Sequence, residues 1–326
     1  MTDAVSALAE WLRREDGFTL IAHVSPDGDT IGSSLALFCI LQAMGKHVQV
    51  VCEQRVPVLY SFLPYADEVK QPEDAGQLPN AIAIDCADVR RMGRAVELFC
   101  SASATGNIDH HRTNSAYGNY VVKDDTASAT GELIYAVWQV LGAAEQKDAA
   151  VAREIACCLY TAISTDTGNF AYSNTTPETF RVAAGLLETG IDIAGINRKV
   201  YRTVPLGKTR LLGFVLSSMQ LFEDGRIGAA LVTQSDLAHF GASAEDVEGV
   251  IDSIRDVDTV EIAILLREGR DGTYKASMRS KQYADVSAIA HIYGGGGHLR
   301  AAGCTLEGEP QTLMDKMVDA AKDALK

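Results

Sequence analysis

Three short apolar runs, each stopping at an acid or an imidazole, constrain the fold of this chain more than any other feature. Phe18 to Val24 (FTLIAHV) opens into His23-Val-Ser-Pro-Asp27-Gly-Asp29, Ala81 to Asp85 (AIAID) ends in a carboxylate, and a third run ends at Asp109-His110-His111. An uninterrupted apolar strand is one buried on both faces, as in a parallel sheet covered by helices. The carboxyl ends of parallel strands share one edge, where open α/β sheets bind ligands. The runs therefore carry several carboxylates and imidazoles toward one place, and burying them is costly without a partner. A cation is the obvious partner.

The segments between the runs read as the rest of an α/β fold. Thr30 to Met44 is helix-patterned and stops at Gly45, with His47 to Cys52 as the next strand, so the first run begins a βαβ unit. Asp88 suits the cap of a helix after Asp85. Helices are expected from Asp125 to Leu141 and from Asp148 to Ile163, the second leading to Asp166. Thr176-Pro177-Glu178 starts another, which Gly190 ends. Ile191 to Leu216 keeps helical spacing and reads as a connector.

Beyond it the character changes. Leu216 to Phe222 and Ile227 to Val232 flank Glu-Asp-Gly-Arg, and Val260 to Arg267 and Thr273 to Ser280 flank a second Asp-Gly, which predicts two β-hairpins. Helices are expected at Ala244 to Ile254, Val286 to Ile292 and Gln311 to Leu325. The fold class is therefore α/β: a parallel-sheet domain over residues 1–190, a helical connector over 191–215, and a smaller α/β domain with hairpins over 216–326.

Charge and cysteine usage narrow the function. Residues 1–190 hold 13 Lys/Arg against 24 Asp/Glu, most of the net charge of -14. That balance argues against long duplex nucleic acid, whose affinity rests on phosphate neutralisation. An anionic substrate meeting this half needs cations, while the second half carries basic contacts of its own. Seven cysteines without CxxC spacing argue against a disulfide framework or a thiolate zinc site. Thr2 to Gly17 is amphipathic and acidic, unlike a signal peptide, and no run has the length of a membrane span, so a cytoplasmic protein is expected.

His23, Asp27, Asp29, Asp85, His110 and Asp166 are the candidate ligands, with Asp109 and His111 beside them. Carboxylates and imidazoles without thiolate suit a hard or borderline octahedral ion, Mn²⁺ ahead of Mg²⁺. The set is too large for one ion. Two ions sharing a bridging carboxylate would use all of it, the usual clamp for phosphoryl hydrolysis. In the second domain, Gly294-Gly-Gly-Gly297-His298-Leu-Arg300 and Ser277-Met-Arg279-Ser280 together suit an anion.

Taken in order, His23-Val-Ser-Pro-Asp27-Gly-Asp29, Ile84-Asp85, Asp109-His110-His111, Thr165-Asp166-Thr167-Gly168 and Gly294 to His298 span nearly the whole chain. On these motifs the chain resembles the DHH-family phosphoesterases with a DHH-associated C-terminal domain. Within them it is most similar to the short oligoribonucleases that also dephosphorylate 3′-phosphoadenosine 5′-phosphate (pAp). The resemblance implies one Mn²⁺ on His23, Asp27 and Asp85 and another on Asp29, Asp85, His110 and Asp166, with Mg²⁺ or Co²⁺ as substitutes. It further implies that Asp109 orients its neighbours and that His111 faces the phosphate. Arg279, Ser280, Gly295, Gly296, Gly297, His298 and Arg300 would contact substrate. Arg112 departs from the proline expected in many relatives.

The implied reaction converts short oligoribonucleotides to mononucleotides and pAp to AMP, through a hydroxide bridging two metals. Two other readings stand beside it. One is a phosphodiesterase of cyclic or linear dinucleotides (c-di-AMP, pApA, pGpG), and the other is a non-catalytic nucleotide sensor, whose mark would be a missing metal carboxylate. The expected partners are short RNA, pAp and cyclic dinucleotides, with no membrane and no long duplex, and with a homodimer as the assembly to test for.

Overall fold

The structure, a computed structural model, describes residues 2–142, 148–269 and 271–325, and the chain divides into two units, Met1–Arg202 and Thr203–Lys326. In the first, α1 (Thr2–Arg14) leads into β1 (Phe18–Ala22), α2 (Gly28–Ala43), β2 (Val48–Val51), β3 (Asn80–Ile84) and α3 (Val96–Cys100). Then follow β4 (Ala104–Asp109), β5 (Tyr120–Lys123), α4 (Thr130–Leu141), α5 (Ala149–Asp166), α6 (Pro177–Glu188) and α7 (Ile193–Asn197).

The five strands form a parallel sheet in the order β2-β1-β3-β4-β5. Every residue of β1 and β3 is buried, as the unbroken apolar runs require. Leu20, Ile82, Ile84 and Ile108 join Leu35, Leu159 and Ile163 in one core, while Ile21, Ala81 and Ala83 join Met92, Ala95 and Phe99 in another. Trp11 of α1 closes the first core, edge-on to Phe18 at 5.2 Å and stacked on Tyr120 at 4.5 Å.

Some boundaries differ from the expectations. β5 lies at the sheet edge with only Val122 fully buried, so it carries no apolar run to announce it. The helix expected from Asp125 starts at Thr130, because the Asp124 carboxylate accepts the Thr126 amide at 2.9 Å and its hydroxyl at 2.6 Å, holding a turn. The stretch read as a connector is shared: α7 and the helical turn Arg198–Arg202 lie in the first unit, and α8 (Leu206–Ser218) in the second.

The second unit continues with β6 (Gln220–Phe222), β7 (Ile227–Val232), α9 (Gln234–Phe240), α10 (Val250–Arg255), β8 (Ile262–Glu268) and β9 (Tyr274–Ser280). It ends with α11 (Val286–Ile292), β10 (Gly296–His298), β11 (Ala301–Leu306) and α12 (Pro310–Ala324). Its mixed sheet runs β10-β11-β9-β8-β7-β6, with β7 and β8 parallel and both expected hairpins antiparallel. Ile262, Ile264 and Leu266 pack with residues of α11 and α12, and Ala263 and Leu265 with residues of α8 and α10, so β8 is apolar on both faces. A single helix does not cover 244–254: Gly249, at φ 80°, separates a 3₁₀ turn at Glu245–Val247 from α10. The glycine run is not an open turn but enters a strand, pairing Gly296 with Gly303 and His298 with Ala301. No helix among the described residues is long and apolar enough to cross a membrane.

The contact of α2 with α5 is tight because small residues face it. A Cβ on Gly32 would stand 2.5 Å from the Cys158 carbonyl oxygen, whereas one on the exposed helical Gly213 would meet nothing within 4 Å. Gly32→Ala should therefore destabilise the protein by about 1–3 kcal/mol. Gly213→Ala should stabilise it by roughly 0.5–1 kcal/mol. Denaturant midpoints measure both, and equal effects would refute the packing account.

Candidate metal centre

The carboxyl edge of the first sheet gathers the candidate ligands. His23 follows β1, Asp27 caps α2, Asp29 lies in its first turn, Asp85 follows β3, Asp109 ends β4 with His110 and His111 next, and Asp166 ends α5. Asp27 earns its place by geometry, since its carboxylate accepts the Asp29 and Thr30 amides at 3.1 and 3.0 Å. Asp85 has φ 58°, a left-handed backbone tolerated best by short polar residues. It turns the chain sharply off β3 at the sheet edge.

The two oxygens of Asp85 face two different groups. Oδ2 is 3.4 Å from His23 Nε2, which is 3.5 Å from Asp27 Oδ2. Oδ1 is 3.7 Å from His110 Nε2, which is also 3.8 Å from Asp29 Oδ2 and 3.5 Å from Asp166 Oδ2. Ligand atoms of His23, Asp27 and Asp85 lie within 4.8 Å of one another, as do those of Asp29, His110 and Asp166. All six candidate ligands are brought together. His111 forms a similar group with Asp85 and His110, but its Nδ1 is 2.8 Å from Asp109 Oδ1 and 3.5 Å from Asp85 Oδ1, so that nitrogen is engaged with Asp109.

The imidazoles are oriented for cation binding. His23 Nδ1 is 2.8 Å from the Val24 carbonyl and His110 Nδ1 is 3.2 Å from the Ala127 carbonyl. A carbonyl only accepts, so each Nδ1 carries a proton, which leaves the Nε2 that faces the carboxylates as the nitrogen open to a cation. His23 Nε2 is buried and has no hydrogen-bond partner among the described residues. A buried nitrogen set between two carboxylates needs a positive partner there, which is either a proton or a divalent ion. The residues fit a metal centre.

Several supporting residues escaped the sequence reading. The Thr130 and Gly131 amides, at the start of α4, donate to Asp29 at 2.7 and 3.0 Å, and the Thr130 hydroxyl donates to Asp85 Oδ1 at 2.8 Å. Ser33 donates to Asp29 at 2.9 Å, and Asn114 donates to Asp109 Oδ2 at 2.5 Å. Only the Ser and Thr content near each motif hinted at them, because their partners lie up to 102 residues away. Arg112 points its guanidinium to Asp125 at 3.7 Å and is 88% exposed, outside these groups.

Electrostatics shows what this arrangement lacks. Burial, then the charges of Asp85, Asp166 and Asp27, push Asp29 well above the ordinary range. Burial likewise lifts Asp166 to about 6, with repulsion from Asp85 and Asp27 adding and His110 opposing. Burial disfavours a proton on His23, yet Asp27 and Asp85 overcome it and raise the pKa to about 9. The site holds more negative charge than its own groups neutralise. His111 is raised chiefly by its hydrogen bond to Asp109, whereas burial of Asp109 is outweighed by His111 and Asn114, which hold that carboxyl low.

In the second unit the register aligns the remaining candidates. His298 pairs with Ala301, Ala301 with Arg279, and Arg279 with Ala263, so Arg279 and His298 stand in one row on one face. A cavity of about 370 Å³ on that face is lined in part by Arg267, Lys275, Ser277 and Arg279, with Glu245 and Glu248 opposite in charge. Arg279 is 3.7 Å from Asp252. Ser280 is buried and donates to the Ala284 carbonyl, as does Arg300, at 2.7 and 2.8 Å. Gly295 and Gly297 allow close approach to β11, where a Cβ would fall 2.2 Å from Gly303 O and 2.4 Å from Ala301 O. Gly296 is exposed on the edge strand β10.

Two family models match the chain: the N-terminal domain of the DHH family over residues 18–163, and the DHHA1 domain over residues 227–326. The bifunctional oligoribonuclease and PAP phosphatase NrnA of Thermus thermophilus is 36% identical across 98% of this chain and 93% of its own length. The protein of the same description from Bacillus subtilis is 27% identical across 89% of this chain and 90% of its own. The crystal structure of an exopolyphosphatase-related protein from Bacteroides fragilis superposes with a TM-score of 0.87 at 27% identity, covering 100% of this chain and 96% of that one.

Metal and proton compete for the same atoms. An acid whose pKa rises on folding destabilises the fold as it ionises, so without metal the Asp166 contribution falls between its ordinary 3.8 and about 6. Metal requires the ionised form and reverses that loss. Saturating Mn²⁺ should therefore raise the melting temperature more at about pH 7.5 than at about pH 5, and Asp85→Ala should remove the rise. Equal rises at both values, or a full rise in Asp85→Ala, would contradict the centre.

Proposed function

Since the chain belongs to the DHH family of phosphoesterases, we propose that it is a Mn²⁺-dependent hydrolase taking short oligoribonucleotides to mononucleotides and pAp to AMP. The single observation that supports this most is the Asp85 carboxylate, with one oxygen toward His23 and Asp27 and the other toward His110. One carboxylate between two ligand groups suits two divalent ions, as phosphoryl hydrolysis uses them. When bound, such a pair supplies Lewis acidity at the phosphoryl oxygens and acidifies the attacking water. In this reading His23, Asp27 and Asp85 hold one ion, and Asp29, Asp85, His110 and Asp166 hold the other. The complete ligand set weighs against a nucleotide sensor without activity.

The chain's own residues handle the proton and the substrate. His111 Nδ1 donates to Asp109, which fixes the ring and favours its protonated state, so Nε2 is the nitrogen that gives a proton to the departing ribose oxygen. Asp109 is buried, which opposes its charge, but the hydrogen bonds from His111 and Asn114 outweigh that and keep it ionised as the orienting partner. In the second unit Arg279 and His298 hold a terminal phosphate, with the exposed Gly296 backbone beside them. Ser280 serves the same site by bracing the Ala284 carbonyl with its hydroxyl, and Arg300 braces it with one guanidinium nitrogen.

Two substitutions test these roles. His111→Ala leaves every proposed ligand in place, so the Mn²⁺-dependent rise in melting temperature should persist while turnover falls by about 10²–10⁴. Loss of that rise would make His111 a ligand instead. Arg279→Ala should cost about 10–150-fold in kcat/KM on phosphorylated dinucleotides and pAp, as one charge-assisted contact predicts. A chromogenic phosphodiester lacking a second phosphate should hardly respond, and equal losses on both would remove Arg279 from phosphate recognition. Cyclic dinucleotides assayed alongside decide between the two substrate classes.

A further inference from the structure

Glu261, just before β8, is a carboxylate only 6% exposed that accepts amides from three consecutive residues. Its Oε1 takes Tyr283 and Ala284 at 2.8 Å each and Gln282 at 3.1 Å, and Oε2 also lies 3.1 Å from the Gln282 amide. No cation lies within ion-pair distance of it among the described residues. Three successive amides curled around one anion form a nest, here filled by the protein's own side chain. A buried charge held in this way requires the loop, and the loop requires the charge.

That loop frames the anion row. The Ala284 carbonyl receives the Ser280 hydroxyl and the Arg300 guanidinium at 2.7 and 2.8 Å. The Val286 amide donates to Leu299 O at 3.1 Å and the Ser280 amide to Arg300 O at 3.0 Å. The Lys281 amide returns to the Glu261 carbonyl at 2.9 Å. Ser280 is next to Arg279, and Leu299 is next to His298. The loop therefore fastens both ends of the row formed by Arg279, Ala301 and His298.

We propose that Glu261 is a positioning residue for phosphate recognition: its buried carboxylate orders residues 282–284, and through them the placement of Arg279 and His298. It rests on the reading that those two residues bind a terminal phosphate. Glu261 touches no substrate, and its action passes through the backbone of the loop. Removing the carboxylate leaves three amides without an acceptor and releases the Ala284 carbonyl that Ser280 and Arg300 grip. The loss falls on binding of the second phosphate.

The test uses the full chain with Mn²⁺, comparing a 5′-phosphorylated dinucleotide with bis(p-nitrophenyl) phosphate. Glu261→Ala should raise KM for the dinucleotide by about 10-fold, with kcat changed less than about 2-fold and the chromogenic substrate unaffected. Glu261→Gln keeps one oxygen for the Tyr283 and Ala284 amides and should recover most of the loss, leaving a KM about 2- to 3-fold above wild type. Proportional losses on both substrates without recovery in Glu261→Gln would make the residue merely structural and overturn the proposal. So would an unchanged KM in Glu261→Ala. Where Glu261→Ala does not fold, Glu261→Gln decides: a selective rise in KM supports the role, and a wild-type KM overturns it. Arg279→Ala in the same assay separates the two levels. If it also leaves the dinucleotide KM unmoved, the phosphate reading itself has failed, whereas a selective rise there without one in the Glu261 variants sinks only the role of Glu261.

Discussion

Mutual repulsion among carboxylates at the carboxyl edge of the parallel sheet is the constraint on which the first unit depends. Asp27, Asp29, Asp85 and Asp166 converge with two imidazoles whose Nε2 atoms look inward. In isolation such a cluster opposes folding, as the upward displacement of Asp29 and Asp166 reveals. The surrounding fold counters it by aiming dipoles: the start of α4 delivers two amides to Asp29, and Thr130 adds a hydroxyl to Asp85. What those donors leave over is negative charge, and divalent cations are the partners that match it. Structure and chemistry thus have one origin, since the groups that strain the metal-free protein are the ones proposed to hold the metal.

The second unit solves an inverse problem. Its sheet carries Arg267, Lys275 and Arg279 on one face, and Arg267 and Lys275 are direct cross-strand partners. Like charges opposite one another are unfavourable within a sheet, and Glu245 and Glu248 of the same cavity and Asp252 beside Arg279 oppose them in sign. Glu261 meanwhile shows that a buried anion is tolerated where three amides surround it. Those amides tie residues 282–284 to the start of β8.

The sequence alone was sufficient for the class of fold, the motifs and the ligand types. β1 and β3 are buried along their whole length, as the apolar runs that begin at Phe18 and at Ala81 require, and a parallel sheet follows from such runs separated by helices. The six candidate ligands were legible because each sits at or near the end of a regular element, where polarity breaks the apolar pattern. β5 and β10 were not legible. Each is short, lies at a sheet edge and has little buried surface, so no hydrophobic period marks it.

What only the tertiary structure decided were the relations between segments far apart in the chain. No local pattern indicates that the Asp85 oxygens divide between His23 and His110, that Thr130 and Gly131 donate to Asp29, or that Asn114 holds Asp109. Nor does it indicate that Glu261 would bind the amides of residues 282–284, some twenty positions onward, or that Arg279 and His298 share a row. The reason is physical: hydrophobic periodicity is written locally, because burial is a property of one residue and its face. A hydrogen bond or a ligand angle belongs to a pair, and comes into being only when packing has fixed both partners in space.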